Sequence, residues 1–221
     1  MNNYKTWLVA IVVLAWSMGS LKNQILISMP HMNDPFFSKS VVYICEHGNG
    51  GAMGMIINKN LDAPELREIF DKFFKVEKSF NTIKKSTFFG GPVLLEKGII
   101  LHHSDYSSPK SISISKSVSL TSDKGALEDL KREEKVPFKL MLGHAGWSAG
   151  QLEREIENGD WLIQSTTSDF IFNLPSNQMW EYAANSIGLD INSSLGASGQ
   201  AWNSNCNCFS KKLIPVSYTH L

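Results

Sequence analysis

Residues 40–58, SVVYICEHGNGGAMGMIIN, determine the fold of this chain. Residues 40–46 are rich in β-branched and aromatic side chains, and 52–58 form a second apolar run, so both segments predict strands. Asn49-Gly50 between them predicts a tight hairpin, because both residues tolerate positive φ. The chain therefore places two strands side by side with no crossover helix between them.

The sequence around this hairpin adds strands and helices in separate clusters. Further strands are predicted at 24–29, 87–89, 98–102, 111–120, 138–142 and 161–164. Helices are predicted at 64–73, 123–134, 149–158 and 176–187. Because strands and helices do not alternate strictly, the sequence predicts a single α+β domain.

Capping residues set the expected ends of these helices. Asp62, Asp123 and Ser176 are predicted N-caps. Gly159 and Gly188 are placed to end the last two helices. The final helix is expected to bury four apolar residues: Met179, Trp180, Ala183 and Ile187.

The composition is that of one globular domain, and it restricts the classes of partner that the protein could bind. Of 221 residues, 43% are apolar, Lys plus Arg and Asp plus Glu number 21 each, and the cysteines are three. Three cysteines form no disulfide framework. Residues 18–201 have 18 basic and 21 acidic side chains, and no helix-turn-helix or zinc-finger pattern is present. Direct binding to nucleic acid is therefore disfavoured.

The two ends differ from the middle of the chain. Residues 1–17 have a short basic start and an apolar stretch, the pattern of a secretory signal, although the stretch is too short to span a bilayer. The alternative is that Met18 is the true start and 1–17 are extraneous. Residues 202–221 show no strand or helix period and are expected to be a non-native or disordered tail. The expected domain is 18–201.

Residues 146–150, GWSAG, fit the G-x-S-x-G pattern of a hydrolase nucleophile elbow around Ser148. In that class the histidine follows the serine, and here only His220, inside the tail, does so. A structural explanation is complete: Ser148 is predicted to be an N-cap, with Gln151 completing a capping box. Trp147 and Leu152 are predicted to form the accompanying hydrophobic staple. No catalytic residue is assigned here.

Neither a metal nor a cofactor is expected. His31, Asp34, Cys45, Glu46 and His47 are close in sequence but match no ligand spacing. Strand alternation would place Cys45 and His47 on one face and Glu46 on the other. The glycines of 48–54 lie in a hairpin, which argues against a dinucleotide fingerprint. Gly90-Gly91 predicts a close backbone approach.

Several stretches together resemble the YqgE/AlgH family of bacterial proteins. They are LISMPHMNDPFFSKSVVYICEH (26–47), GAMGMIINKNL (51–61), FFGGPV (88–93), KGIILHH (97–103), LGHAGWSAGQLEREIENGDWL (142–162) and GLDINSSLGASGQA (188–201). The resemblance implies a bent, bifurcated sheet curled into a pseudo-barrel, a cytosolic location and a role in transcriptional regulation. It carries over no catalytic residue. Asn60 and His144 depart from the family's usual proline and tyrosine.

These observations favour a non-enzymatic, cytosolic module that binds a small ligand or a protein and has a regulatory role. The candidate ligand-binding residues are His31, Asn33, Asp34, Asn58, His102, His144 and Ser148. The alternative for these polar groups is that they satisfy buried backbone at strand ends. Two other functions stay open: an enzyme that uses His102 or His144 as acid or base, and a regulator that binds DNA directly. A functional signal at 1–17 would instead place the protein in the periplasm or outside the cell.

Overall fold

A curled sheet with helices on both faces forms the structure, a computed structural model that describes residues 19–61, 87–133 and 135–189. Its strands are β1 (Gln24–Ser28), β2 (Val41–Gly48), β3 (Gly51–Ile56), β4 (Thr87–Phe89), β5 (Val93–His103), β6 (Ile112–Ser113), β7 (Val118–Thr121), β8 (Phe138–Ser148) and β9 (Trp161–Ser165). Its helices are α1 (Lys124–Arg132), α2 (Gln151–Asn158), α3 (Ser168–Phe172) and α4 (Ser176–Ser186). The helix predicted at 64–73, with its cap Asp62, lies outside the described residues.

Within these ranges the sheet has the order β6-β7-β5-β8-β3-β2-β1-β9, with β4 attached to β8. The β4–β8 pair is parallel and the other pairs are antiparallel. The two edges curl toward each other: Lys22 Nζ, just before β1, donates to the Ser113 carbonyl on β6 over 3.0 Å. The sheet is thus a half-barrel, which confirms the predicted α+β class and pseudo-barrel.

Strand β8 is the place where the sheet divides. Its first half pairs with β5 along one side and with β4 along the other, and residues 145–148 pair with β3. The sequence predicted a strand only over 138–142. The observed strand is longer because Ala145 and Trp147 continue the alternation of buried positions, while Gly146 and Ser148 are exposed.

The hairpin at 40–58 is confirmed, with one difference in register. Gly48 pairs with Gly51 across the Asn49-Gly50 turn. A bulge between Ile44 and Glu46 shifts the strand by one residue. Cys45 and His47 therefore do not share a face as predicted: Cys45 is buried in the core of the half-barrel, whereas His47 contacts Glu153 on α2.

Both faces of the sheet are covered, which explains the continuous apolar run of β2. Val41, Tyr43 and Cys45 belong to a first core inside the half-barrel, together with residues of α3 and α4. Val42 and Ile44 belong to a second core on the opposite face, together with residues of α2. A smaller third core packs α1 against β5.

The close approach predicted at Gly90-Gly91 is made by backbone, with no ligand involved. A Cβ at Gly90 would lie 2.3 Å from the Gly143 carbonyl oxygen, and one at Gly91 would lie 2.3 Å from the His144 carbonyl carbon. Gly91 also has a φ of 150° and Gly143 a φ of 68°. Only glycine fits where the segment between β4 and β5 crosses β8.

Two further predicted elements differ from the structure. The run at 111–120 forms β6 and β7 instead of one strand, because the Ser115 hydroxyl accepts from the Ser117 and Val118 amides and closes a local turn. Helix α4 has Pro175 as its N-cap, so Ser176 is its first residue, and Ile187 lies beyond its end and is 39% exposed. Asp123 does cap α1, and Gly159 does end α2.

Candidate functional site

Ser148 is the last residue of β8 and does not cap the next helix. Helix α2 has Gly150 as its N-cap, with a φ of 68° in the left-handed region. The Ser148 hydroxyl and backbone N–H both donate to Gln151 Oε1 over 3.0 Å. The predicted serine cap is wrong because pairing with Gly51 holds Ser148 in the sheet, two positions before the N-cap. The reach of Gln151 back to the Ser148 amide is the half of the capping box that does form.

The junction between β8 and α2 is not a nucleophile elbow. The Ser148 hydroxyl proton is used by Gln151, and among the described residues no imidazole hydrogen-bonds Ser148. Trp147 and Leu152 are both buried in the second core, but the later helix start removes the register of a staple. This segment joins a strand to a helix, with Ser148 bonded to Gln151 at the junction.

A buried carboxylate, Glu155, organises the same junction. Its Oε2 accepts from the indole N–H of Trp147 at 2.7 Å and of Trp161 at 3.1 Å, and its Oε1 accepts from Gln151 Nε2 at 2.8 Å. Burial raises the pKa of Glu155, and these donors oppose that rise. Sequence reasoning missed this network, although Gln151 and Glu155, at i and i+4 of the predicted helix, were a usable signal for one of its contacts.

The polar loop residues near β1 and β3 mostly satisfy backbone groups. Asp34 Oδ1 accepts from the amides of Phe36 and Phe37 at 2.8 and 2.9 Å. Asn58 accepts from the Val41 amide at 2.8 Å and donates to the Lys39 carbonyl at 2.9 Å. For both residues, the contacts match the alternative given in the sequence analysis, in which the polar side chains satisfy backbone groups at strand ends.

His31 and Asn33 lie at the surface of the same loop. The His31 side chain is 63% exposed and its Nε2 is 3.8 Å from Asp160 Oδ1. Asn33 is exposed. Neither residue lines the three hollows described below.

The two candidate histidines lie on the other half of the sheet. His102 is fully buried and its ring bonds the His103 carbonyl through Nδ1 and Ser111 Oγ through Nε2, at 2.9 and 3.1 Å. Burial lowers its pKa. Burial, with a smaller effect of the Lys97 charge, also lowers the pKa of His144. His102 is level with Phe138 at the start of β8, whereas Ser148 is at its end, so the predicted set does not form one site.

A further buried ionisable group is Lys139 on β8, which is 4% exposed. Its Nζ donates to the Ile57 carbonyl at 2.8 Å and lies 4.3 Å from the ring centroid of Phe88. Burial lowers the pKa of Lys139 to about 7. Within the described ranges, no group of three His, Cys, Asp or Glu side chains could hold a metal ion.

A groove that the sequence did not predict lies beside β9, α3 and α4, and is called here the β9–α3 groove. Its volume is about 470 Å³. Its apolar wall is formed by Ile25, Phe170, Leu174 and Tyr182, and its polar wall includes Gln164, Thr166, Thr167 and Asp169. Two smaller hollows, of about 380 and 320 Å³, lie on either side of the same segment, 166–173.

Two buried polar atoms of this groove have no hydrogen-bond partner. Among the described residues, the buried side-chain atoms in this state are Asn60 Oδ1, Asp160 Oδ2, Gln164 Oε1 and Thr166 Oγ1. Gln164 and Thr166 both line the β9–α3 groove. The signal that could have located this segment is the Thr167 N-cap of α3, whose hydroxyl accepts from the Phe170 amide at 3.2 Å.

The fold places this chain in the α+β class. Its sheet is a half-barrel that divides at β8 and is covered by helices on both faces. The chain belongs to the AlgH-like family (DUF179), whose model matches residues 25–192. Within the described ranges, no helix has the length and apolar character needed to cross a membrane.

Curated relatives of the chain are UPF0301 proteins of bacteria. One from Marinomonas sp. (strain MWYL1) is 41% identical over 175 residues, which are 78% of this chain and 92% of that protein. Another, from Pseudoalteromonas translucida (strain TAC 125), is 36% identical over 186 residues and is covered completely, with 83% of this chain aligned.

Solved structures of the same fold support this assignment. The solution structure of the AlgH protein from Pseudomonas aeruginosa matches with a TM-score of 0.60 at 30% identity, covering 84% of this chain and 98% of that one. The crystal structure of a Corynebacterium diphtheriae protein matches with a TM-score of 0.59 at 20% identity, covering 79% and 91%. The second likeness concerns the fold alone.

Proposed function

We propose that this AlgH-like protein is a non-enzymatic binding module whose ligand site is the β9–α3 groove. The observation that carries the proposal is the pair of partnerless buried atoms, Gln164 Oε1 and Thr166 Oγ1, in one groove. A buried polar atom without a partner costs about 1–3 kcal/mol, so two lining residues with such atoms mark a place where a small shift of either side chain toward a ligand would supply the missing partner. A volume of about 470 Å³ suits a small molecule.

A regulatory, cytosolic role follows from the family resemblance and belongs to the same proposal. Ligand occupancy at the groove would alter the surface formed by α3 and α4, which a protein partner could recognise. Direct contact with DNA is disfavoured by the charge balance of 18–201. Retention of the full chain on duplex DNA at low salt, lost at high salt, would contradict this part.

The test is native mass spectrometry of the full chain purified from its host. A small molecule retained by the wild type and absent from Leu174→Trp, which fills the groove, is the expected result. Ile112→Trp, at a position on β6 that is 62% exposed, is the matched control and should retain the molecule. Equal retention in both variants would place the ligand elsewhere and overturn the assignment of the groove.

One observation favours a second function, a serine hydrolase based on Ser111 and His102. With His102 Nδ1–H donating to the His103 carbonyl, Nε2 is left as an acceptor for the Ser111 hydroxyl at 3.1 Å, a shorter contact than the competing acceptor Ser108 Oγ at 3.4 Å. That is the tautomer a general base needs, and the lowered pKa keeps the ring neutral. Labelling of the wild type, but not of Ser111→Ala, by a fluorophosphonate probe would support this function. An unlabelled wild type would reject it.

A further inference from the structure

The β9–α3 groove has a chemical bias that names the class of its ligand, an inference that rests on the proposed function. The Ser186 hydroxyl donates to the Ala183 carbonyl at 2.7 Å, so it can only accept from Gln164 Nε2 at 2.9 Å. This fixes the orientation of the Gln164 amide. Its Oε1 is therefore an acceptor that the fold leaves without a donor, and a ligand reaches this enclosed atom only if the Gln164 side chain moves.

The charge of the groove also favours a ligand that carries hydrogen-bond donors. Of the described residues that line it, Asp169 is the charged one, and neither lysine nor arginine is among them. Asp169 Oδ1 accepts from Asn173 Nδ2 at 2.9 Å, which leaves Oδ2 as a second acceptor. Thr166 can donate or accept. The polar wall therefore suits a ligand that carries several N–H donors and a positive charge.

The apolar part of the lining suits an apolar body. The rings of Phe170 and Tyr182 are 6.1 Å apart between centroids and inclined at 47°. Leu174 lies on the same wall, and Tyr182 is 59% exposed. Aromatic faces attract both apolar groups and organic cations.

We propose that the groove binds an organic ammonium or guanidinium compound with an apolar body. The nitrogen cation faces Asp169, and the body packs on Phe170, Leu174 and Tyr182. A neutral compound of the same shape lacks the charge attraction to Asp169, and an anionic one places like charges beside it.

The experiment is a titration of the ¹⁵N-labelled full chain, followed by amide shifts and by calorimetry, with three probes of one shape. They are 4-phenylbutylammonium, 4-phenylbutanol and 4-phenylbutyrate. We expect the ammonium probe to bind most tightly and the butyrate probe least tightly. The shifts should centre on Thr166, Thr167 and Phe170.

Asp169→Asn, which retains an acceptor for Asn173, should weaken the ammonium probe about two- to fivefold, the range for an exposed ion pair, and leave the alcohol unchanged. Asp105→Asn, in the adjoining hollow, is the control and should change neither. Tighter binding of the butyrate or the alcohol at the groove would overturn the cationic class while leaving a binding site there. If no probe shifts the groove amides at millimolar concentration, the cationic ligand class is wrong. Ligand retention in mass spectrometry then decides separately whether the β9–α3 groove is a binding site.

Discussion

The β8–α2 junction and the β9–α3 groove differ in whether their buried polar groups have hydrogen-bond partners. At the junction, the Glu155 carboxylate accepts three hydrogen bonds from Trp147, Trp161 and Gln151. At the groove, Gln164 Oε1 and Thr166 Oγ1 are buried without a partner. The junction contains the most conspicuous motif of the sequence, whereas the groove is bordered by an inconspicuous run, TTSDF at 166–170.

This difference teaches that a strong local motif can be wholly structural. In GWSAGQLERE, 146–155, Trp147, Ser148, Gln151 and Glu155 bond one another, and the remaining contacts of Glu153 and Glu155 are to His47 on β2 and Trp161 on β9. A binding site is better indicated by polar atoms that the fold leaves unsatisfied, because only an external partner can complete them.

The largest expected effect is at the junction. Glu155→Leu removes the acceptor of three donors and should lower the free energy of unfolding by about 3–5 kcal/mol. Urea denaturation measures the change. Glu157→Leu, an exposed position on the same helix, is the control and should stay within about 0.5 kcal/mol. A small loss in Glu155→Leu would remove the contrast between the two regions.

Lys139 is a third buried polar group, and it tests whether one hydrogen bond, to the Ile57 carbonyl, offsets the cost of burying an ammonium group. Folding lowers its pKa from 10.5 to about 7, so the fold disfavours the charged form. The penalty is absent above the unfolded pKa and complete below about pH 7, so stability should rise by about 3 kcal/mol from pH 7 to pH 10. Lys139→Met should lose this rise in denaturation curves, while exposed Lys131→Met should keep it. A rise that persists in Lys139→Met would assign it to another group.

Thr166→Val should have the opposite sign from the change at Glu155. It replaces a partnerless buried hydroxyl by a methyl group of the same shape, and should stabilise the protein by about 1 kcal/mol. Thermal denaturation of the ligand-free protein measures this gain. Destabilisation by a similar amount would mean that the hydroxyl has a partner, and the contrast with the junction would fail.

The smallest effect is expected at Ser148. Its exposed hydroxyl donates only to Gln151, so Ser148→Ala should change the free energy of unfolding by less than about 0.5 kcal/mol, below the roughly 1 kcal/mol of a true cap. Gly150→Ala, at the actual N-cap with a φ of 68°, should cost about 1 kcal/mol in the same assay. A larger loss for Ser148→Ala than for Gly150→Ala would restore the serine as the cap.

The sequence predicted the fold well where local signals and tertiary pairing agree. Asn49-Gly50 gave the correct hairpin, and Asp123 and Gly159 marked the correct helix ends. Predictions failed where tertiary pairing decided the outcome. Pairing with Gly51 keeps Ser148 in the sheet, and the bulge at Cys45 reverses the expected facing of His47.

The candidate site was less predictable, because its residues come together only through the topology. Asp34 and Asn58 bond nearby backbone, and His102 lies at the opposite end of β8 from Ser148. Gln164, Thr166 and Tyr182 are brought to one groove by the return of α4 onto β9, seen in the bond between Gln164 and Ser186. No spacing within the chain encodes that meeting.

The division of the sheet at β8 also shapes how the molecule comes apart. Met141 belongs to the core inside the half-barrel, Ala145 and Trp147 to the core under α2, and Leu140 packs against the core under α1. Because β8 contributes side chains to all three cores, no core can unfold alone without exposing part of the others. We therefore expect the amides of β8 to exchange with solvent only when the entire domain opens.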